Sequence, residues 1–309
     1  MARKIILDVD PGHDDAIAIL VAAANPKLEL LGITTVAGNQ TLEKTTLNAR
    51  RVATVAKIKT PIYAGFSRPL VRDQVTAPDI HGESGLDGPA WGAVTARVEE
   101  EHAVDFIIRT LKNSQGDVTL VPTGPLTNIA GAFIRCPEII PKVQEVILMG
   151  GAYGLGNTTP AAEFNIYADP EAARVVFHAG VPLTMVGLDL THQATATPEV
   201  LARIRALNTT VGDIAAELLT FFRSTYRDVF KMPDPPVHDP CTVAKLIDPD
   251  VFTTKPAYVD IDTQSELCYG RTVCDLYGVT GQEPNAQVAI ELDWERFWDI
   301  VIDALKQYS

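Results

Sequence analysis

Hydrophobic residues in this chain fall into two patterns. Short, nearly continuous apolar runs rich in β-branched side chains alternate with longer stretches in which apolar positions recur every three or four residues. Runs at 4–9, 28–36, 117–121, 145–149 and 182–186 predict strands buried on both faces. Stretches at 14–24, 41–56, 102–112 and 170–179 predict helices, and another is expected over 210–230. The 170–179 helix is clearly bounded. Asp169 stands where an N-cap accepts backbone N–H groups, Pro170 suits a first helical position, and Gly180 follows the end. Regular strand–helix alternation predicts an α/β fold: a doubly wound, mostly parallel open sheet flanked by helices. No repeat, low-complexity tract or long linker interrupts it, so residues 1–309 read as a single domain. Ligands of such sheets bind beyond the carboxyl ends of the strands, which directs attention to the loops that follow them.

Composition narrows the function. A chain of 309 residues with 46% hydrophobic content can bury a sizeable core. Its net charge of −13 repels phosphate backbones, so nucleic acid is not expected as a partner, whereas a metal ion or a small neutral ligand is. The four cysteines form no CxxC pair and no zinc-like spacing with histidine, and they read as buried thiols of a reducing compartment. The N-terminus runs straight into an apolar strand, leaving no room for a signal peptide, and the most apolar stretch, 16–24, is too short to span a bilayer. A cytoplasmic protein without membrane contact is the expectation.

Candidate chemistry begins just after the first strand, where four carboxylates crowd into Asp8-Val-Asp-Pro-Gly-His-Asp-Asp15. Pro11-Gly12 makes a turn, and Asp14 and Asp15 open a helix. A helix N-terminus favours each negative charge by roughly 0.3–1 kcal/mol. Repulsion between carboxylates a few ångströms apart is as large or larger, about 1–4 kcal/mol per pair near a surface. The dipole alone does not settle four of them, but a hard cation such as Ca²⁺ or Mg²⁺ would. Two other readings stand beside this one. The segment can be a solvated turn with an N-capped helix, or a phosphoryl-transfer site with Asp8 as nucleophile and Asp10 as acid, which Pro11-Gly12 fits poorly.

The segment Asp8 to Ala16 resembles the N-terminal signature of the nucleoside hydrolase family. The resemblance continues in order through Val36-Ala-Gly-Asn39, His81-Gly-Glu-Ser-Gly-Leu-Asp-Gly88, Thr123-Gly-Pro-Leu-Thr-Asn128, Met149-Gly-Gly151, Glu163-Phe-Asn165 with Asp169-Pro-Glu-Ala172, and His238-Asp239. Tyr269-Gly-Arg-Thr-Val-Cys274 is similar to the branch that prefers pyrimidines. The resemblance implies hydrolysis of the N-glycosidic bond of ribonucleosides, with uridine and cytidine preferred, in nucleoside salvage. It implies a calcium ion held by Asp10, Asp15, Asp239 and the carbonyl of Thr123, with Asp10 also taking a proton from water. It assigns the sugar to Asp14, Asn39, Met149, Asn157, Glu163 and Asn165, and it implies a homotetramer or dimer. Glu163 and Asn165, two apart in what reads as an extended segment, are expected to point to one side. At the base end, His238 and His81 are candidates for activating the leaving group. Phe222 and Tyr226, one helical turn apart, are expected to face the base, although both also fit a core stripe. Phe222 and Tyr226 are bulkier than a strictly pyrimidine-selective pocket calls for, leaving a purine-tolerant hydrolase as an alternative, beside a ribose-binding protein without turnover. His13, His102, His178 and His192 read as structural.

Overall fold

The computed structural model describes residues 2–308. Its ten strands are β1 (Arg3–Val9), β2 (Leu28–Thr35), β3 (Ile62–Ala64), β4 (Val98–Glu99), β5 (Val118–Pro122), β6 (Val143–Met149), β7 (Leu183–Val186), β8 (Phe252–Ile261), β9 (Thr272–Asp275) and β10 (Ala286–Leu292). They form one sheet in the order β4-β3-β2-β1-β5-β6-β7-β10-β8-β9. Pairing is parallel from β4 through to β10 and antiparallel for β10–β8 and β8–β9. The expected doubly wound, mostly parallel sheet is therefore the fold.

Alternating side chains of β1 show how the sheet divides the core. Ile5, Leu7 and Val9 pack with the helices His13–Ala24, Thr210–Phe230, Pro240–Ile247 and Trp294–Leu305 on one face. Ile6 joins Leu120, Phe106, Ile129 and Phe177 on the other, among the helices Ala103–Asn113, Thr127–Arg135 and Pro170–Phe177. This two-residue alternation, apolar on both sides, is why the run reads as continuous. The chain passes from β1 to β2 on one side and returns to β5 on the other, so its direction reverses between β1 and β5. Their carboxyl ends lie side by side, Asp8 opposite Pro122, with the Thr123 N–H donating to the Asp8 carbonyl at 2.8 Å. A crevice at such a reversal is where an open α/β sheet holds its ligand.

Helix boundaries follow the capping signals. Asp169 accepts from the Ala172 N–H, and the helix it caps ends at Phe177, two residues short of the expected end, before the chain turns through Gly180 at φ +77°. The Glu163–Asn165 segment differs more. It is not extended: Glu163 caps a short helix, Phe164–Ala168, because its carboxylate accepts from the Asn165 and Ile166 N–H groups. No described helix is long and apolar enough to cross a membrane.

Candidate active site

A cavity opens at the carboxyl ends of the strands, where open α/β sheets hold small ligands. Asp14, Asn39, Thr123, Met149, Asn157, Glu163, Asn165, His81, Phe222, Tyr226, His238 and Asp239 line it. Asp10 and Asp15 lie fully buried beside this lining. Residues taken from distant motifs thus converge in one place. Ile80, Phe164 and Phe230 also line the cavity and were not among the expected residues.

The floor is acidic. Asp14, Asp15 and Asp239 each present a carboxylate oxygen within 4.8 Å of the others. Asp14, expected to serve the sugar, is therefore as close to this cluster as the expected ligands. Two helix N-termini aim at it, those of His13–Ala24 and Pro240–Ile247. Asp15 accepts from the Gly12 N–H at 3.0 Å and the Thr123 hydroxyl at 2.8 Å, and Asp14 accepts from the His238 N–H at 3.1 Å. The Asp239 side chain makes no capping bond to its own helix. Asp10 accepts from the Asn39 N–H through Oδ2 at 2.7 Å, while its buried Oδ1 has no hydrogen-bond partner. Burial raises every one of these carboxyls. Neighbouring carboxylates add to this for Asp14, pushed up to about 7, and for Asp10 and Asp239, held well above the ordinary range. Hydrogen bonds from Gly12 and Thr123 pull against burial at Asp15, which stands at about 6. Helix dipoles and backbone donors leave the cluster short of positive charge. Hard oxygen donors, an orphaned oxygen and the Thr123 carbonyl, which accepts from Asn165 Nδ2 at 2.7 Å and keeps a second lone pair, suit a divalent cation.

Asp8 belongs to the same sequence cluster but not to this floor. It is fully buried, with Oδ1 accepting from the Thr34 hydroxyl at 2.5 Å and Asn128 Nδ2 at 2.7 Å. It joins β1, β2 and the helix Thr127–Arg135, and it does not line the cavity. A phosphoryl-transfer nucleophile must meet its substrate, so that alternative falls.

On the side wall, burial pushes Glu163 up to about 7 against the pull of N–H donors from Asn165, Gly151 and Ile166. Asn165 Nδ2 donates to the carbonyls of Thr123 and Met149 and lies 3.4 Å from Met149 Sδ, which pins Met149 to the wall. Asn157 accepts from the Phe164 N–H at 2.9 Å. The opposite end is aromatic. Phe222 and Tyr226 meet edge to face at 4.7 Å, and Phe230, one turn further along the same helix, packs 5.0 Å from Tyr226. The four-residue spacing of these rings was a signal available for Phe230. The Tyr226 hydroxyl lies 2.7 Å from His238 Nε2, and the Thr191 hydroxyl 2.7 Å from Nδ1. His81 Nδ1 faces His13, a residue expected to be merely structural, and the two rings stack.

Comparison with known proteins agrees with this architecture. The family profile described as inosine-uridine preferring nucleoside hydrolase matches residues 5–299. A pyrimidine-specific ribonucleoside hydrolase of Escherichia coli is 52% identical over 306 residues, covering 99% of this chain and 98% of the relative. The solved structure of a purine-preferring ribonucleoside hydrolase from Gardnerella vaginalis superposes with a TM-score of 0.92 at 34% identity, covering 98% of both chains. A plant nucleoside hydrolase superposes equally well, with a TM-score of 0.92 at 30% identity over 99% of each chain. With the profile matching nearly its whole length and these relatives aligned end to end, the chain belongs to the inosine-uridine preferring nucleoside hydrolase family.

Proposed function

We propose that this enzyme hydrolyses the N-glycosidic bond of ribonucleosides, pyrimidine ribonucleosides above all, to ribose and free base with the aid of Ca²⁺. The observation that carries the reading is the polarity of the cavity: a buried carboxylate floor at one end and an aromatic, histidine-bearing wall at the other. A ribose with its hydroxyls suits the first, and a flat base the second. The 52% identity to a pyrimidine-specific relative supports the base preference, and the products suit nucleoside salvage.

Asp10, Asp15, Asp239 and the Thr123 carbonyl are the groups that would hold the cation, with Asp14 beside them. Bound there, a hard divalent ion supplies Lewis acidity at the sugar end and makes water easier to deprotonate. Asp10 receives the proton through its unpartnered Oδ1. Asp14, Asn39, Asn157, Glu163 and Asn165 fix the sugar, and the buried carboxylates and amide oxygens stabilise the positive charge that grows at C1′ as the bond to the base lengthens. His238, held between Thr191 and Tyr226, serves the departing base together with His81.

Two expected results test this. Chelating the cation abolishes release of reducing sugar from uridine and lowers the melting temperature, and adding calcium at about 100 times its Kd restores roughly 2.7 kcal/mol of stability. Unchanged turnover and melting temperature in the chelated enzyme would remove the cation from the reading. Second, kcat/KM is higher for uridine than for inosine. His238→Ala lowers kcat on uridine by about 10²–10⁴. Tyr226→Ala harms inosine more than uridine, because the ring offers a stacking face and a hydroxyl to a purine. A wild-type enzyme faster on inosine defeats the pyrimidine assignment and favours the purine-tolerant alternative.

A further inference from the structure

The stretch Tyr269-Gly-Arg-Thr-Val-Cys274, similar to the pyrimidine-preferring branch, contributes no residue to the cavity lining. It runs into β9, the edge strand, and β7, β10 and β8 lie between it and β6. Yet Thr272, buried there, reaches the loop that follows β6. Its hydroxyl accepts from the Ala152 N–H at 2.8 Å and donates to the Ala152 carbonyl at 2.6 Å. One hydroxyl, with its single hydrogen and its lone pairs, thus serves both polar groups of a buried backbone residue. The Thr272 methyl packs close on the residue before: a Cβ added at Gly151 would meet it at 2.7 Å.

What this loop holds is Glu163. Gly151, at φ +77°, turns its N–H to Glu163 Oε2 at 2.8 Å. Glycine adopts that conformation freely, and for the same reason it does not hold it, so the bonds on either side must. The Gly150 N–H donates to the Val186 carbonyl at 3.1 Å, the Leu188 N–H to the Gly151 carbonyl at 2.9 Å, and the Tyr153 N–H to Asp189 Oδ2 at 2.7 Å. All three partners belong to β7 or to the short helix Leu188–Thr191 beyond it. Thr272 closes the remaining side. Without its hydroxyl, both polar groups of Ala152 are buried and unmet, a costly state that the loop can relieve by turning at Gly151. That turn takes the Gly151 N–H away from Glu163. The same stretch also bears on the second half of the Glu163 hydrogen-bond set. Gly270 lies against the helix Phe164–Ala168, where an added Cβ would meet the Tyr167 Cα at 2.8 Å, and this helix carries the Asn165 and Ile166 N–H donors.

We propose that Thr272 is a positioning residue: by clamping both polar groups of Ala152 it aims the Gly151 N–H at Glu163 and holds that carboxylate where it meets the sugar. The last clause rests on the ribonucleoside hydrolase reading. The edge strand thereby sets the sugar wall from outside the cavity, and Thr272 itself touches no substrate.

Gly150–Gly151 is the one Gly–Gly pair in the sequence. In intact, substrate-free enzyme carrying glycine labelled with ¹³C at the carbonyl and with ¹⁵N, only the Gly151 amide follows a labelled carbonyl, so its signal assigns itself. In the wild type this amide is expected downfield and protected from exchange. Thr272→Val keeps the shape and loses the hydroxyl. Its Gly151 amide moves upfield and loses about tenfold or more of its protection. KM for uridine rises about tenfold with kcat changed little, the scale of one hydrogen bond to a charged group. Thr272→Ser keeps the hydroxyl and restores both the signal and KM. In a Glu163→Ala background Thr272→Val changes KM by less than about twofold, because the group it acts through is gone, whereas a general loosening of the fold would act equally in both. Thr272→Ala removes the same hydroxyl and serves where Thr272→Val does not fold. A Gly151 amide unprotected in the wild type or unmoved in Thr272→Val, an unaltered KM in the active enzyme, or an equal effect in both backgrounds overturns the proposal. Because the amide is read without substrate, the expected signals in a protein that leaves ribonucleosides intact would refute the catalytic reading and not the clamp.

Discussion

Asp10→Asn lowers kcat on uridine by about a thousandfold or more while the protein stays folded. The substitution is nearly isosteric in a tightly shaped slot. A Cβ added at Gly38 would meet Asp10 Oδ2 at 2.1 Å, and one added at Gly124 would meet Oδ1 at 2.5 Å. An asparagine oxygen can still accept from the Asn39 N–H, so the loop after β2 keeps its anchor. What disappears is the proton acceptor and one negative charge. Removing a charge from a cluster whose members raise one another's pKa relieves repulsion, so the cation-free variant is at least as stable as the cation-free wild type. A reducing-sugar assay gives the rate and thermal unfolding the stability. Wild-type kcat in a folded Asp10→Asn enzyme would exclude Asp10 as the group that receives the proton.

The second large effect concerns the sugar. We expect kcat/KM for 2′-deoxyuridine to fall about 10⁴-fold below that for uridine. Asp14 is buried at the floor of the cavity, with Oδ2 already engaged by the His238 N–H, and Asn39, Glu163 and Asn165 are buried around it. Groups so enclosed cannot turn to water when a hydroxyl is missing, and an unmet buried polar group costs more than an ordinary hydrogen bond contributes. Comparable efficiency on the two nucleosides, measured with the same assay, would mean that the 2′-hydroxyl is not held by this floor.

How much of this was legible beforehand depended on the length and completeness of each signal. β1, β2, β5, β6 and β7 were readable because strands covered on both faces must be apolar throughout. β3 and β4, of three and two residues, are too short to show any period. β8 carries Pro256 and exposed positions, and it pairs antiparallel, outside the strand–helix rhythm on which the reading relied. Site residues in contiguous motifs were readable as a group. Their relations to one another were less so. That Asp8 is buried beneath Thr34 and Asn128, while Asp10 two residues later faces Asn39, follows from contacts across 26, 120 and 29 positions. The Glu163 helix start was missed because the glutamate caps its own segment, a role more often filled by Ser, Thr, Asp or Asn. The contacts of His13, read as structural, were likewise out of reach, because its partners Asp87 and His81 lie some seventy residues away.

The acid floor also has a history in time. Its parts meet only when the chain is nearly complete. Thr123 reaches Asp15 across 108 positions, and the His238 N–H reaches Asp14 across 224. Closing loops of that span is entropically slow, and parallel sheets accumulate such long-range pairings. No fragment ending before Asp239 holds the full donor set proposed for the cation, so on that reading cation uptake would report completed folding. In folding kinetics, calcium present from the start should leave the refolding rate unchanged and, in the separate unfolding experiment, slow unfolding, as expected for a ligand that recognises only the finished native state.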